Sequence, residues 1–482
     1  MTDATDPPAH PDPDVDPDTA RALAADFQRV IKAMLAAVRV DAAATDGPIA
    51  LVTGHLGRPL EDVVVVTAEF PSWDHASVQA GLDAYLAAQP TWYGLRGVGH
   101  DPTESLLGLL TSPGRVRHHQ LSEAEYVTAA TGPDTSTEVV QLGLVPARAP
   151  DGEAVVVGLR GPVPHMGQLT CHVDVLAGSR DTATATQRTI RDLVARHDVI
   201  RGQVVAFGAS EYHGNELLTF LPRPTLTEQQ VVLPDGILAG IREHIIGIAE
   251  HADQLLAAGQ HLKRGVLLFG PPGTGKTHTV RYLMSQLPDT TVVVLTGPAL
   301  WLIDRAATLA RRFQPAMVVL EDVDLIGTDR NFEHADNPLL FSLLDAMDGV
   351  GADADVTFVL TTNRVDVLER ALADRPGRVD LAVEIPRPDA LGRERLLRLY
   401  LGGNPTTGDL APIVAATDGV TASFLKELVR RAVLAALREG TPTVTDAALK
   451  TALDQLTASH NAITRSLLGT DQPADATGPA WE

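Results

Sequence analysis

The stretch "GVLLFGPPGTGKTHTVRYLM" occupies residues 265–284. Its first residues form a short apolar run, the pattern of a strand buried on both faces, and the residues after Lys276 have helical spacing. Between them, residues 270–277 read GPPGTGKT and satisfy G-x-x-x-x-G-K-[ST] in the strand–loop–helix context that a phosphate loop requires. The glycines let backbone N–H groups curl around a phosphate at a helix N-terminus. In that chemistry Lys276 bridges the β- and γ-phosphates, and the Thr277 hydroxyl serves magnesium. The candidate nucleotide contacts are therefore Gly270, Pro271, Pro272, Gly273, Thr274, Gly275, Lys276, Thr277 and His278. ATP and Mg2+ are the expected cofactors.

Outward from this stretch, strands alternate with helices. "GVLLFG", "TVVVLT", "AMVVLE", "VTFVLTT" and "LAVEI" are the expected strands, which predicts a parallel five-stranded sheet with helices on both faces over residues 226–388. Residues 389–458 read as helices only and predict a small helical lid. Upstream, residues 19–225 mix short β-like runs with helices, an α+β N-terminal domain suited to a partner or substrate. It opens on a helix from Thr19 to about Val40. Its "LVTGHLGRP" segment, which lacks the Gly-Lys pair of a phosphate loop, reads as a strand and turn. Residues 1–18 alternate Pro and Asp and predict a disordered acidic tail, and 459–482 read as a flexible C-terminal tail.

Three polar groups fall at strand ends of the nucleotide region. Glu321, Asp322 and Asp324 close the run "VVLEDVD". Thr362 and Asn363 end "VTFVLTTN", where a polar side chain could touch a γ-phosphate and an attacking water. Arg375 and Arg378 flank a Pro-Gly turn beyond the sheet, suited to reaching a neighbouring subunit's nucleotide. Trp301, in "GPALWLIDRAATLARRF", admits two readings: a side chain facing a ring axis, or one packed on the sheet.

Together "GPPGTGKT", "LLDAMDG" (343–349), "TTNR" and "ALADRPGRVD" resemble the AAA family of ring-forming ATPases, over about residues 230–457. The resemblance implies a homo-oligomeric, hexameric ring that hydrolyses ATP between subunits and works mechanically on a protein. It sets Glu321 at the magnesium position and Asp322 at the water-activating one, the reverse of the family's Asp-then-Glu order; in a register shifted by one, Asp322 holds the metal. Asn363 matches the polar sensor, Arg375 and Arg378 the arginine fingers, and Asp348 and Gly349 the inter-subunit signalling turn. In the lid, "GVTASFLKEL" keeps Gly419 but departs otherwise from the family's Ser-Gly-Ala-Asp segment, which puts its adenine contacts in question. Two functions follow: an ATPase that remodels a protein partner through residues 19–225, or a slow nucleotide-gated assembly switch.

Composition narrows the partners. A formal charge of −22 disfavours nucleic acid, and no stretch is apolar enough to span a membrane. A single cysteine, Cys171, excludes an internal disulfide and suits a reducing cytoplasm. His165, Cys171 and His172 lack zinc spacing, because strand alternation sends Cys171 and His172 to opposite faces. There is no H-E-x-x-H to mark a metalloprotease.

Overall fold

A computed structural model describes residues 29, 47–86, 91–96, 105–111, 120–209, 216–324, 343, 345–351, 353–364, 379–407 and 409–458. The expected tails and all but one residue of the Thr19–Val40 helix lie outside this set. The chain divides into two compact units, one of Met1–Ala129 and Thr137–Asp198, the other of Ala130–Ser136 and Val199–Glu482. Among the described residues no helix is long and apolar enough to cross a membrane.

The first unit is built on an antiparallel sheet of seven strands: β1 (Val64–Pro71), β2 (Tyr93–Arg96), β3 (Gln120–Glu123), β4 (Glu125–Ala130), β5 (Ser136–Arg148), β6 (Ala154–Arg160) and β7 (Thr170–Ala177). The order is β1-β7-β6-β5-β2-β3, with β4 paired to β5. Alternation along β7 sends Cys171, Val173 and Val175 into a core under the helices His75–Leu86 and Arg180–Arg196. Those helices touch closely because Gly81 has no side chain; a Cβ there would meet Val194 at 2.6 Å. Val52 and Leu56 belong to a separate cluster with Leu106, Leu144, Val156 and Leu176. Here the strand-and-turn expectation for "LVTGHLGRP" is overturned: Pro48–Leu56 is a helix. Proline at its first turn pre-sets the backbone, and Gly57 at φ +66° closes it in the left-handed region. The buried pair Val52 and Leu56 has i, i+4 spacing, a helical period that the glycine turn obscures.

The second unit holds the phosphate-loop sheet. The five expected strands, β10 (Arg264–Phe269), β11 (Thr291–Thr296), β12 (Ala316–Glu321), β13 (Val356–Thr362) and β14 (Leu381–Glu384), are all present and parallel, in the order β14-β10-β13-β12-β11. Residues on β10 to β13 are buried almost without interruption, as a sheet covered on both faces demands. The sheet nevertheless has seven strands. β8 (Val204–Ala209) pairs parallel with β11, and β9 (Glu216–Leu221) pairs antiparallel with β8. The boundary expected at 226 therefore falls too late, and "GQVVAFG" belongs to the nucleotide sheet. Its short run has no signature of which sheet it joins, since pairing is decided by a strand far along the chain. Arg223 ties this segment down, donating to the carbonyls of Met284, Leu287, Gly202 and Thr290 at 2.7–3.0 Å. Burial pulls its guanidinium below the ordinary range, with Asp289 acting against the shift.

The lid packs Leu396, Leu397, Phe424, Leu425, Leu428 and Leu453 from three helices, Ala390–Leu401, Ala422–Arg438 and Asp446–Thr457, into one core. It is not purely helical: Thr406–Thr407 and Val444–Thr445 form a short parallel pair that joins two of its loops.

Candidate nucleotide site

The phosphate loop follows β10. Gly270, Gly273 and Gly275 have φ of +139°, +77° and +115°, values that L side chains rarely adopt. At Gly270 a Cβ would also run into the Ile385 carbonyl, so both backbone angle and space call for glycine. Thr274 closes the turn by donating its hydroxyl to the Pro271 carbonyl at 2.9 Å. Helix Lys276–Gln286 then begins, its first-turn N–H groups presented toward the loop.

Lys276 is buried, and its Nζ donates to Gly270 O at 2.7 Å, Pro271 O at 3.0 Å and Asn363 Oδ1 at 2.8 Å. Burial pulls the ammonium below the ordinary lysine range, while the carboxylates of Asp322 and Asp324 act in the other direction. One side chain thus links the loop to the tip of β13, 87 residues away.

The two acids of β12 go to different partners. The Glu321 carboxylate sits beside Thr277; burial raises its pKa, the Thr277 side chain opposes that, Asp322 adds to it and Arg281 reduces it. Asp322 leaves the strand with φ +51°, the one non-glycine among the described residues in the left-handed region. Such a conformation costs on the order of 1–3 kcal/mol, less for aspartate than for bulkier residues. Its N–H donates to Thr361 Oγ1 at 3.0 Å, and its Oδ1 accepts from Asn363 Nδ2 at 3.3 Å. Asp324, to which the sequence attached no role, buttresses the next strand. Its Oδ1 accepts from the Thr362 hydroxyl at 2.9 Å and from the Asn363 N–H at 3.1 Å. An acid two residues beyond Asp322 was visible in the sequence, but its inward direction was not.

The remaining candidates separate. His278 is drawn aside, its Nε2 lying 2.9 Å from Gln230 O. Gly419 has φ +70° and accepts from Arg387 Nη1 at 2.9 Å. The small cleft beside Thr274 is lined instead by Val232, Leu233, Pro234, Pro386, Asp389 and Ala422. Ser423 N donates to Gly273 O at 3.1 Å, which brings the lid helix to the phosphate loop. Trp301 sits in a 3-10 turn and is 58% exposed, whereas Leu300 and Ile303 are buried. This overturns the reading in which Trp301 packs on the sheet. Gly349 O accepts from Arg311 Nη1 at 2.6 Å, anchoring the Asp348–Gly349 turn to the helix Ile303–Arg312. Arg375 and Arg378 lie outside the described residues. On β7, Cys171 is buried in the core and His172 lies on the other face opposite Glu69, as alternation requires.

Comparison with known proteins agrees with the geometry. Residues 266–387 match the model of the ATPase family associated with various cellular activities (AAA). The chain is 33% identical over 236 residues to the ATP-dependent zinc metalloprotease FtsH 2 of Symbiobacterium thermophilum, a match covering 45% of this chain and 40% of that protein. It is 32% identical over 213 residues to the proteasome-activating nucleotidase of Sulfurisphaera tokodaii, covering 41% and 54%. With the FtsH protein of Mycobacterium tuberculosis it shares 29% over 276 residues, covering 53% and 35%. The matches therefore span about half or less of these relatives. Among the described residues no group of three or more His, Cys, Asp or Glu is placed to hold a metal ion. By this comparison residues 266–387 are an ATPase domain of the AAA family.

Proposed function

We propose that this protein binds and hydrolyses ATP, assembles as a homo-oligomeric, hexameric ring and remodels a protein partner recruited by its N-terminal unit. The observation that carries the catalytic reading is the hydrogen-bonded chain Lys276–Asn363–Asp322, with Thr277 and Glu321 beside it, at three adjacent strand tips. Thr277 and Glu321 supply the hard oxygen donors that suit Mg2+, so the residues present fit that ion. When bound, it would neutralise charge on the β- and γ-phosphate oxygens. Lys276 holds the same oxygens from the other side. Asp322 takes the proton of the attacking water as general base, and Asn363, already bonded to Asp322, orients that water. Arg375 and Arg378 complete the site from the neighbouring subunit. The cleft beside Thr274, between the Val232–Pro234 segment and the lid, suits the adenine base. Support for the ring and the protein partner comes from the AAA resemblance and from an exposed Trp301 beside the end of β11.

Steady-state ATP turnover across the concentration range of assembly tests the reading, with wild type beside Asp322→Asn. A wild type that turns over, a variant that binds ATP and stalls, and stimulation by an unfolded polypeptide are the expected results. A wild type that assembles with ATP but never turns over would favour the nucleotide-gated switch, the reading that the reversed Glu-Asp order admits.

A further inference from the structure

Glu321 and Asp322 are consecutive, and in an extended chain consecutive side chains leave on opposite faces. Here both serve the phosphate loop. Glu321 lies beside Thr277, and Asp322 bonds Asn363, which in turn holds Lys276. The backbone reconciles the two demands by abandoning the extended region at Asp322, where φ is +51°. Aspartate is also about 1.5 Å shorter than glutamate, one carbon–carbon bond, so its carboxylate must be delivered by the backbone where a glutamate could reach. A left-handed residue at a strand end persists only where its surroundings hold it.

The hold comes from the neighbouring strand. Asp322 N–H donates to Thr361 Oγ1 at 3.0 Å. Thr361 is fully buried on β13, in register with Leu268 of β10, so its hydroxyl is fixed by the centre of the sheet. We propose that Thr361 is a positioning residue: its hydroxyl holds the left-handed turn that aims Asp322 at the attacking water. It acts through Asp322, and the role rests on the ATPase reading above.

The test uses the full chain as wild type, Thr361→Val and Thr361→Ser, and reads kcat, KM, affinity for a fluorescent ATP analogue and thermal midpoint. Valine keeps the branched shape and removes the acceptor; serine keeps the acceptor and removes a methyl group. Thr361→Val is expected to lower kcat by between about tenfold and about 10²-fold, with KM and affinity little changed, as for a small misplacement of a reacting group. Thr361→Ser is expected to recover most of kcat. Should the valine variant fail to fold, Thr361→Ala against Thr361→Ser isolates the same hydroxyl. Wild-type kcat in Thr361→Val, equal losses in valine and serine variants, or a loss confined to affinity would each overturn the role of Thr361 and leave the ATPase reading standing. A wild type without turnover overturns that reading and this role with it.

Discussion

Lys276 Nζ donates to Asn363 Oδ1 at 2.8 Å, joining the phosphate loop to the tip of β13. Asn363 faces Asp322 with its other amide atom, so it sets the lysine and the acid relative to each other. Asn363→Ala is expected to reduce ATP turnover by about 10²- to 10³-fold, the scale of losing one preorganised polar contact. Nucleotide affinity should change little, because Lys276 keeps two carbonyl acceptors that hold it in the loop. Lys276→Met should lose binding itself, and titration calorimetry beside turnover separates the two.

Trp301 presents 58% of its surface to solvent while its neighbours Leu300 and Ile303 anchor the turn. Trp301→Ala should therefore leave folding stability within about 0.5 kcal/mol of wild type. If the side chain grips polypeptide, the variant keeps basal ATP turnover and loses polypeptide stimulation. Full stimulation in the variant would remove Trp301 from the substrate path.

In the first unit, Arg160 Nε bonds Asp174 Oδ2 at 2.8 Å, both side chains at least nine-tenths buried. Asp174 Oδ1 also accepts from the Thr67 hydroxyl at 2.6 Å. Removing Asp174 takes from the buried Arg160 the carboxylate it bonds, so Asp174→Ala should cost about 3–5 kcal/mol in chemical denaturation. Replacing both members with apolar residues of similar volume should cost less than the single change.

His75 is buried, with Nε2 2.9 Å from Val140 O. Burial lowers its pKa, and the backbone bond offsets this only in part. An unfolded chain then takes up the proton first as the medium acidifies. The stabilisation is complete above the ordinary histidine value of about 6.5 and is lost as pH falls through the lower folded value. Amide exchange in β5 and β7, corrected for intrinsic rates, should accelerate between about pH 7.5 and about pH 5. His75→Gln should reduce that dependence without removing it, since His172 is also lowered, chiefly by burial.

The phosphate loop was legible because its chemistry is contiguous: spacing within eight residues places the glycines, Lys276 and Thr277 before any tertiary contact forms. Five parallel strands were legible for a related reason, since burial on both faces requires unbroken apolar runs. The lid's helices announced themselves by period. The helix Pro48–Leu56 is hidden in the sequence because its glycines suggest a turn, although Val52 and Leu56 carry the helical spacing. The sequence does not place β8 and β9 in the nucleotide sheet, since a four-residue apolar run does not say which sheet will accept it.

The order Glu321 then Asp322 is a property of the chain alone, and so is the presence of acids, asparagine and lysine in a phosphate-transfer pattern. Which acid meets Thr277 and which meets Asn363 is not. That assignment depends on β12 lying beside β13, on Thr361 offering its hydroxyl to one amide, and on Asp322 taking a left-handed angle that an isolated strand would not hold. Local spacing specifies which groups are available, because covalent geometry sets their reach. Their aim comes from pairings between residues some forty or ninety positions apart, whose contacts exist only once the sheet has closed.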